Sequence, residues 1–316
     1  MERFSVTEIA LTGFRIVKER PKVVLFWGAA QLLFSLCLIL LMVASVGPAL
    51  TQMSATGFAP SQHADPAQTL AQFQKILPMY FVFGVLGAVF YPILYGAMNR
   101  AVLRPDESRF GYLRVGPDEL RQFGLFLLMF ILGLLAYLAL FIVAGLVIAL
   151  IAGLSGLALS HVNPMLAGVV TGLGTVAVMG VAFCAWIFLC VRFSLASPQT
   201  FATRKINLFG SWSLTRTAFW PALGTYVVAF ALLMGVSILY FAILLPLDVA
   251  IGGGLAGLNT AFHPDMNSFA TYFSPVIVLN LLVGAILSAL MWPILLTPPA
   301  AIYEKLTMEA APSVFS

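Results

Sequence analysis

Residues 122–191 contain no Asp, Glu, Lys or Arg, and neither do 217–247 or 266–303. A soluble domain carries roughly 25% charged residues, so uncharged runs of this length leave no water-facing side for a globular fold. The whole chain is 9% charged and 61% hydrophobic, with a mean hydropathy of +1.01. A bilayer core is crossed by about 20 apolar residues of helix. Six segments qualify: about 22–47, 78–103, 121–152, 165–197, 219–250 and 272–303. Spanning strands are excluded, because barrel strands are ~10 residues long and alternate with polar lumen positions. The expected fold class is therefore all-α: a polytopic membrane protein with six transmembrane helices, in a single membrane domain over 1–316. Several segments exceed 26 residues, so tilt or extension beyond the bilayer is expected.

The basic residues set the orientation, since Lys and Arg collect on the cytoplasmic side. Arg3, Arg15, Lys18, Arg20 and Lys22 precede the first segment. Arg100, Arg104, Arg109, Arg114 and Arg121 lie between the second and third, Arg192, Arg204, Lys205 and Arg216 between the fourth and fifth, and Lys305 after the sixth. Only Lys75 falls on the other side, where Asp65, Asp248 and Asp265 are read as outer-loop residues. Both termini are then expected in the cytoplasm. The first apolar run is far longer than the 7–15 residues of a cleaved signal peptide. Arg outnumbers Lys, 11 to 5, and with abundant Ala, Leu and Gly this points to a bacterial inner membrane. The pI of about 9.1 restates the one-sided basic bias and implies no nucleic-acid partner.

A repeat near 100 residues runs through the chain, with copies at about 1–105, 106–200 and 201–316. Each copy reads as a basic, aromatic cytoplasmic segment, an outgoing helix, an outer loop and a returning helix, so the six helices form three repeated hairpins. The outgoing helices open near Pro21, Pro117 and Pro221, and proline suits a first helical turn because its missing N–H has no partner there. The returning helices share YPIL (91–94), WIFL (186–189) and WPIL (292–295). The lead-in segments read FRIVKERP (14–21), FGYLRVGP (110–117) and FGSWSLTRTAFWP (209–221). In the first, Ser5 and Glu8 have capping-box spacing. Phe4, Leu11, Phe14 and Val17 with Arg15, Lys18 and Arg20 suit a helix lying in the membrane plane.

Residues able to carry chemistry are few. His63, His161 and His263 fall one per copy, in HADP, HVNP and HPD. Three imidazoles suffice for a zinc site, yet Asp or Asn before Pro is a turn and cap signal, and solitary loop histidines are the simpler reading. No metal or other cofactor is expected. Cys37, Cys184 and Cys190 lie within helices, without metal-ligand spacing. The run Gly252–Gly254 lacks the GK[ST] of a phosphate loop. No Ser/His/Asp order, HExxH or paired carboxylate appears in the cytoplasmic segments, so no enzymatic activity is expected. Coupled carriers place acids within the bundle; none is seen at a helix middle, and Asn280 is read as an interhelical hydrogen-bond partner. Gly168 and Gly172, and Gly284 with Ser288, form small-residue faces suited to internal helix packing.

The six helices, the basic lead-in before each hairpin and the motifs FGYLRVGPDELRQFG (110–124) and FGSWSLTRTAFWPALGTY (209–226) resemble uncharacterised proteobacterial integral membrane proteins. These are similar to the membrane domain that some glycerophosphodiester phosphodiesterases carry ahead of a soluble catalytic domain. The resemblance covers most of the chain, but that catalytic domain is absent from it. It implies the membrane fold without the phosphodiesterase activity, and it transfers no site residues.

The function expected from the residues is that of a non-enzymatic inner-membrane accessory or scaffold, contacting lipid headgroups or a membrane-protein partner through its basic face. Arg15, Lys18, Arg20, Arg109, Arg114, Arg204, Lys205 and Arg216 are the contact candidates, because each cation near an anionic leaflet is worth about 1 kcal/mol. The alternative is a transporter or lipid-handling protein that uses the centre of the bundle. A continuous polar path would favour transport, and a filled core the scaffold.

Overall fold

The computed structural model describes residues 5–56, 66–159 and 161–310. Regular structure among them is helical throughout, as expected for a chain whose backbone polar groups must pair within their own segment in lipid. Two short helices open it, α1 (Val6–Ala10) and α2 (Thr12–Glu19). The spanning elements are α3 (Pro21–Thr56), α4 (Pro66–Leu103), α5 (Pro117–Leu159), α6 (Pro164–Phe193), α8 (Gly210–Ile251) and α11 (Pro275–Leu296). Between them lie α7 (Ala196–Thr203), α9 (Leu255–Phe262) and α10 (Phe269–Tyr272), and α12 (Pro298–Ala310) follows the last span. Six helices are long and apolar enough to cross a membrane. The 43 residues of α5 rise about 65 Å at 1.5 Å each, twice a ~30 Å hydrocarbon core.

Sequence boundaries and structure agree where proline opens a helix. Pro21 and Pro117 are the first residues of α3 and α5. Pro221 instead sits inside α8, which begins at Gly210. The apolar segment 272–303 is divided at Thr297, whose hydroxyl donates to the Pro293 carbonyl at 2.7 Å. The Pro298–Pro299 pair that follows has no N–H to continue the ladder, and α12 starts afresh there.

The larger core clusters sit at the basic end of the bundle, and smaller ones around Val43 and Val46 at the other. One cluster joins Ile16, Val23, Trp27, Leu94, Met98, Tyr112 and Ala289. A second joins Ile9, Val191, Leu195, Ala222 and Ile302. Together they tie α1, α2 and α12 to the ends of α3, α4, α6, α8 and α11. The α2 helix lies so close to α11 that a Cβ on Gly13 would overlap the Pro293 backbone. It buries Thr12, Gly13 and Ile16 and leaves Phe14, Arg15 and Lys18 exposed, as is Leu11 just before it.

Two intramembrane expectations need correction. Asp248 lies in α8, not in a loop, and is 1% exposed. Its Oδ1 accepts from Asn280 Nδ2 at 2.7 Å, a partner 32 residues away that no local pattern reveals. The Gly252–Gly254 run lets the chain turn tightly after it: Gly253 and Gly254 have φ of +72° and +98°, and side chains at Gly252 or Gly257 would collide across the turn. Nothing lies within 4 Å of a Cβ built on Gly168 or Gly172, so this pair is not an internal packing face. Gly284 is closer to one, with the Tyr240 hydroxyl 3.9 Å from such a Cβ.

Candidate functional site: an apolar cleft beneath the basic face

The segment after α4 is folded by its own charges. Arg100 and Glu119 are 2% and 4% exposed. Arg100 donates through Nη2 to Glu119 Oε1 at 2.5 Å and through Nη1 to the Tyr112 carbonyl at 2.6 Å. Phe110, Gly111 and Tyr112 all take positive φ, which costs a non-glycine residue roughly 1–2 kcal/mol. The tertiary contacts hold that turn: Trp27 Nε1 donates to the Gly111 carbonyl at 2.8 Å, and the Tyr112 hydroxyl to the Pro105 carbonyl at 3.0 Å. Arg104 and Arg121 pair with Asp118, and Arg114 with Glu107. A buried pair of this kind loses about 3–5 kcal/mol when one partner is removed.

Beside this knot a polar stitch joins three helices. Asn99 on α4 donates to the Ser197 hydroxyl at 2.8 Å. That hydroxyl donates to Gln122 Oε1 at 2.9 Å, and Gln122 Nε2 returns a bond to the Ser197 carbonyl at 2.9 Å. Tyr226 on α8 donates to the Ser194 hydroxyl at 2.7 Å.

These groups form one end of a cleft of about 860 Å³, within the roughly 300–1,000 Å³ of small-molecule sites. Gln122, Ser194, Ser197 and Tyr226 line its polar end; Met129, Phe130, Phe183, Val227 and Phe230 line the deeper walls. From Gln122 to Phe130 the wall descends about 12 Å along α5. Phe130, Phe183, Val227 and Phe230 keep 60%, 64%, 59% and 57% of their surface open, so the deep end is an apolar mouth and not a sealed chamber. Such a space suits an amphiphile: tail against aromatics, polar group against hydroxyls and amides.

The candidate cations divide into two groups. Arg20 donates to the Pro105 carbonyl at 3.1 Å and stacks over Tyr112, and Arg114 is paired, so both serve the architecture. Arg15, Lys18, Arg109, Arg204, Lys205 and Arg216 are exposed and make no ion pair among the described residues. His161 and His263 are exposed, and His63 lies outside the described residues. No group of three or more metal-ligating side chains occurs among the described residues. All three cysteines are free and exposed; Cys190 lines the cleft.

Sequence reading missed Asn99, Gln122, Ser197 and Tyr226 as a set. The available signal was amide and hydroxyl side chains at the ends of otherwise apolar segments. It also missed Arg192, whose guanidinium carbon lies 5.0, 5.2 and 5.4 Å from the ring centres of Phe188, Trp212 and Phe219.

No protein-family model matches the chain, and neither does any curated protein or solved structure.

Proposed function

We propose that this is a non-enzymatic inner-membrane protein that binds an amphiphilic lipid, its tail in the cleft and its headgroup at the Gln122–Ser197–Tyr226 end, beneath a basic face turned to the cytoplasm. The cleft carries this reading. A scaffold with a filled core leaves no such space, and the apolar walls argue against an aqueous path for a hydrated solute. The six spans place the mouth in a protein whose surroundings are lipid. The exposed cations of the basic face favour anionic headgroups.

Two measurements test it. After purification in mild detergent, the protein should retain lipid in fixed ratio by mass spectrometry. Val227→Trp, which adds bulk at a lining position 59% exposed, should lower that ratio sharply. Retention of no lipid by the native chain, or equal retention by the variant, would sink the reading. For orientation, cysteines replacing Val115 and Val162, 87% and 84% exposed, should be placed one at a time in a cysteine-free background. An impermeant thiol reagent should label only the Val162 position in intact cells. Labelling at the Val115 position alone would reverse the topology.

A further inference from the structure

Arg192 closes α6 on the basic face, and its backbone carbonyl is held by α8: the Ser211 hydroxyl donates to it at 2.7 Å, while the Thr215 hydroxyl donates to the Ser211 carbonyl at 2.9 Å. The side chain is thereby fixed among Phe188, Trp212 and Phe219. Its Nε and Nη1 are covered and have no hydrogen-bond partner, and the side chain makes no ion pair among the described residues. Aromatic faces attract a cation but accept no hydrogen bonds of ordinary strength, so a guanidinium with unmet donors still calls for an anion.

No acid of the described residues pairs with it, and its own stretch of chain holds none. From 192 to 247 the sequence holds Arg192, Arg204, Lys205 and Arg216 and no Asp or Glu. The preceding linker sets Arg104, Arg109, Arg114 and Arg121 against Asp106, Glu107, Asp118 and Glu119. Trp212 and Trp220, 38% and 75% exposed, follow one another along α8 with Arg216 between them, one turn apart on one face. Tryptophan with arginine at the end of a span marks the headgroup level of a bilayer.

We infer that Arg192, with Arg216 beside it and Trp212 and Trp220 as interfacial anchors, forms a phosphate-binding site for an anionic phospholipid at the basic end of α6 and α8. With Nε and Nη1 covered, the half-buried side chain meets a phosphate oxygen through its remaining nitrogen and its charge, not as a bidentate fork. Arg192 does not line the cleft, so this site stands whether or not the cleft holds a lipid.

The test is a lipid titration of the full chain by native mass spectrometry, with phosphatidylglycerol, phosphatidylcholine and millimolar inorganic phosphate as probes. Arg192→Gln should weaken phosphatidylglycerol binding about fivefold, the factor one cation near an anionic surface supplies, and leave phosphatidylcholine unchanged. Arg114→Gln removes the same charge where Glu107 already pairs it at 2.8 Å and should change binding less than about twofold. If inorganic phosphate leaves the bound lipid in place, the lipid is the source; if it displaces the lipid and that displacement is lost in Arg192→Gln, the same site takes free phosphate. Equal effects of the two variants, or none from Arg192→Gln, would overturn the site. Should that variant not fold, Arg216→Gln, at an exposed position, should weaken phosphatidylglycerol binding at least about twofold; no loss there overturns the site equally.

Discussion

Two linkers on the basic face handle charge in opposite ways. Residues 104–121 fold into a turn in which Arg104, Arg114 and Arg121 meet acids of the same segment, with Arg100 and Glu119 buried at its centre. Residues 192–216 have four cations and no acid, and they remain open except where rings cover Arg192. Where a segment satisfies its own charges, they serve architecture, and removing one leaves its partner stranded. Where it does not, the charges cost the fold little to remove and face outward, toward whatever anion the surroundings provide.

The largest expected effect lies in the first linker. Glu119→Gln takes from buried Arg100 the carboxylate it hydrogen-bonds, leaving Glu107 3.5 Å from its Nε, and should destabilise the chain by about 3 kcal/mol, read as a fall in the midpoint of denaturant unfolding in detergent. A loss below 1 kcal/mol would mean that the pair is hydrated and that the comparison fails at its root. Next comes Gly111→Ala. Its φ is +63°, and the added Cβ would lie 2.7 Å from Phe26 Cβ. Strain and overlap together should cost about 1–3 kcal/mol and free the Trp27 indole, seen as a shift in its fluorescence. Gly13→Leu, outside both linkers, should cost a similar ~1–3 kcal/mol by prising α2 from the Pro293 backbone. The matching change at Gly168, where a Cβ meets nothing within 4 Å, should stay within ~0.5 kcal/mol. A large loss at Gly168 would place a partner on that face.

How much of this was legible in the sequence follows the same divide. The spans were readable because lipid imposes one long-range rule, the exclusion of charge, and Pro21 and Pro117 mark two helix starts locally. The start of α8 at Gly210 was not, because its first turn is tied through Ser211 to the carbonyl of Arg192, a tertiary contact. Asp248 was read into a loop because acids usually end there, and Asn280 on another helix makes its burial tolerable. The cleft was invisible for a related reason: Gln122, Ser197 and Tyr226 are unremarkable singly, and their convergence depends on how α5, α7 and α8 pack. The exposed cations were legible, but which of them are paired was not, since Arg114 and Arg109 look alike in sequence and only one meets Glu107.

The smallest expected effect separates the linkers most cleanly, because its sign differs. Arg204 ends α7 in the left-handed region, with φ +56° and ψ +24°. Glycine is the residue that helix ends favour in this conformation, and a non-glycine side chain there costs roughly 1 kcal/mol. Arg204 is exposed and makes no ion pair among the described residues, so nothing in the fold offsets that cost. Arg204→Gly should therefore raise stability by about 0.5–1 kcal/mol, while removing one cation from a face read as meeting anionic lipid, so that binding of the chain to anionic vesicles weakens. A charge removed from the first linker lowers stability; one removed here should raise it and lower lipid affinity. Measured together, unfolding midpoint and vesicle binding should move in opposite directions in this one variant. If both fall, Arg204 has a structural partner and the second linker is built like the first. If stability rises and binding holds, the cation at 204 is only a solvated charge, and the lipid-facing part of this linker narrows to Arg192, Arg216 and their tryptophans.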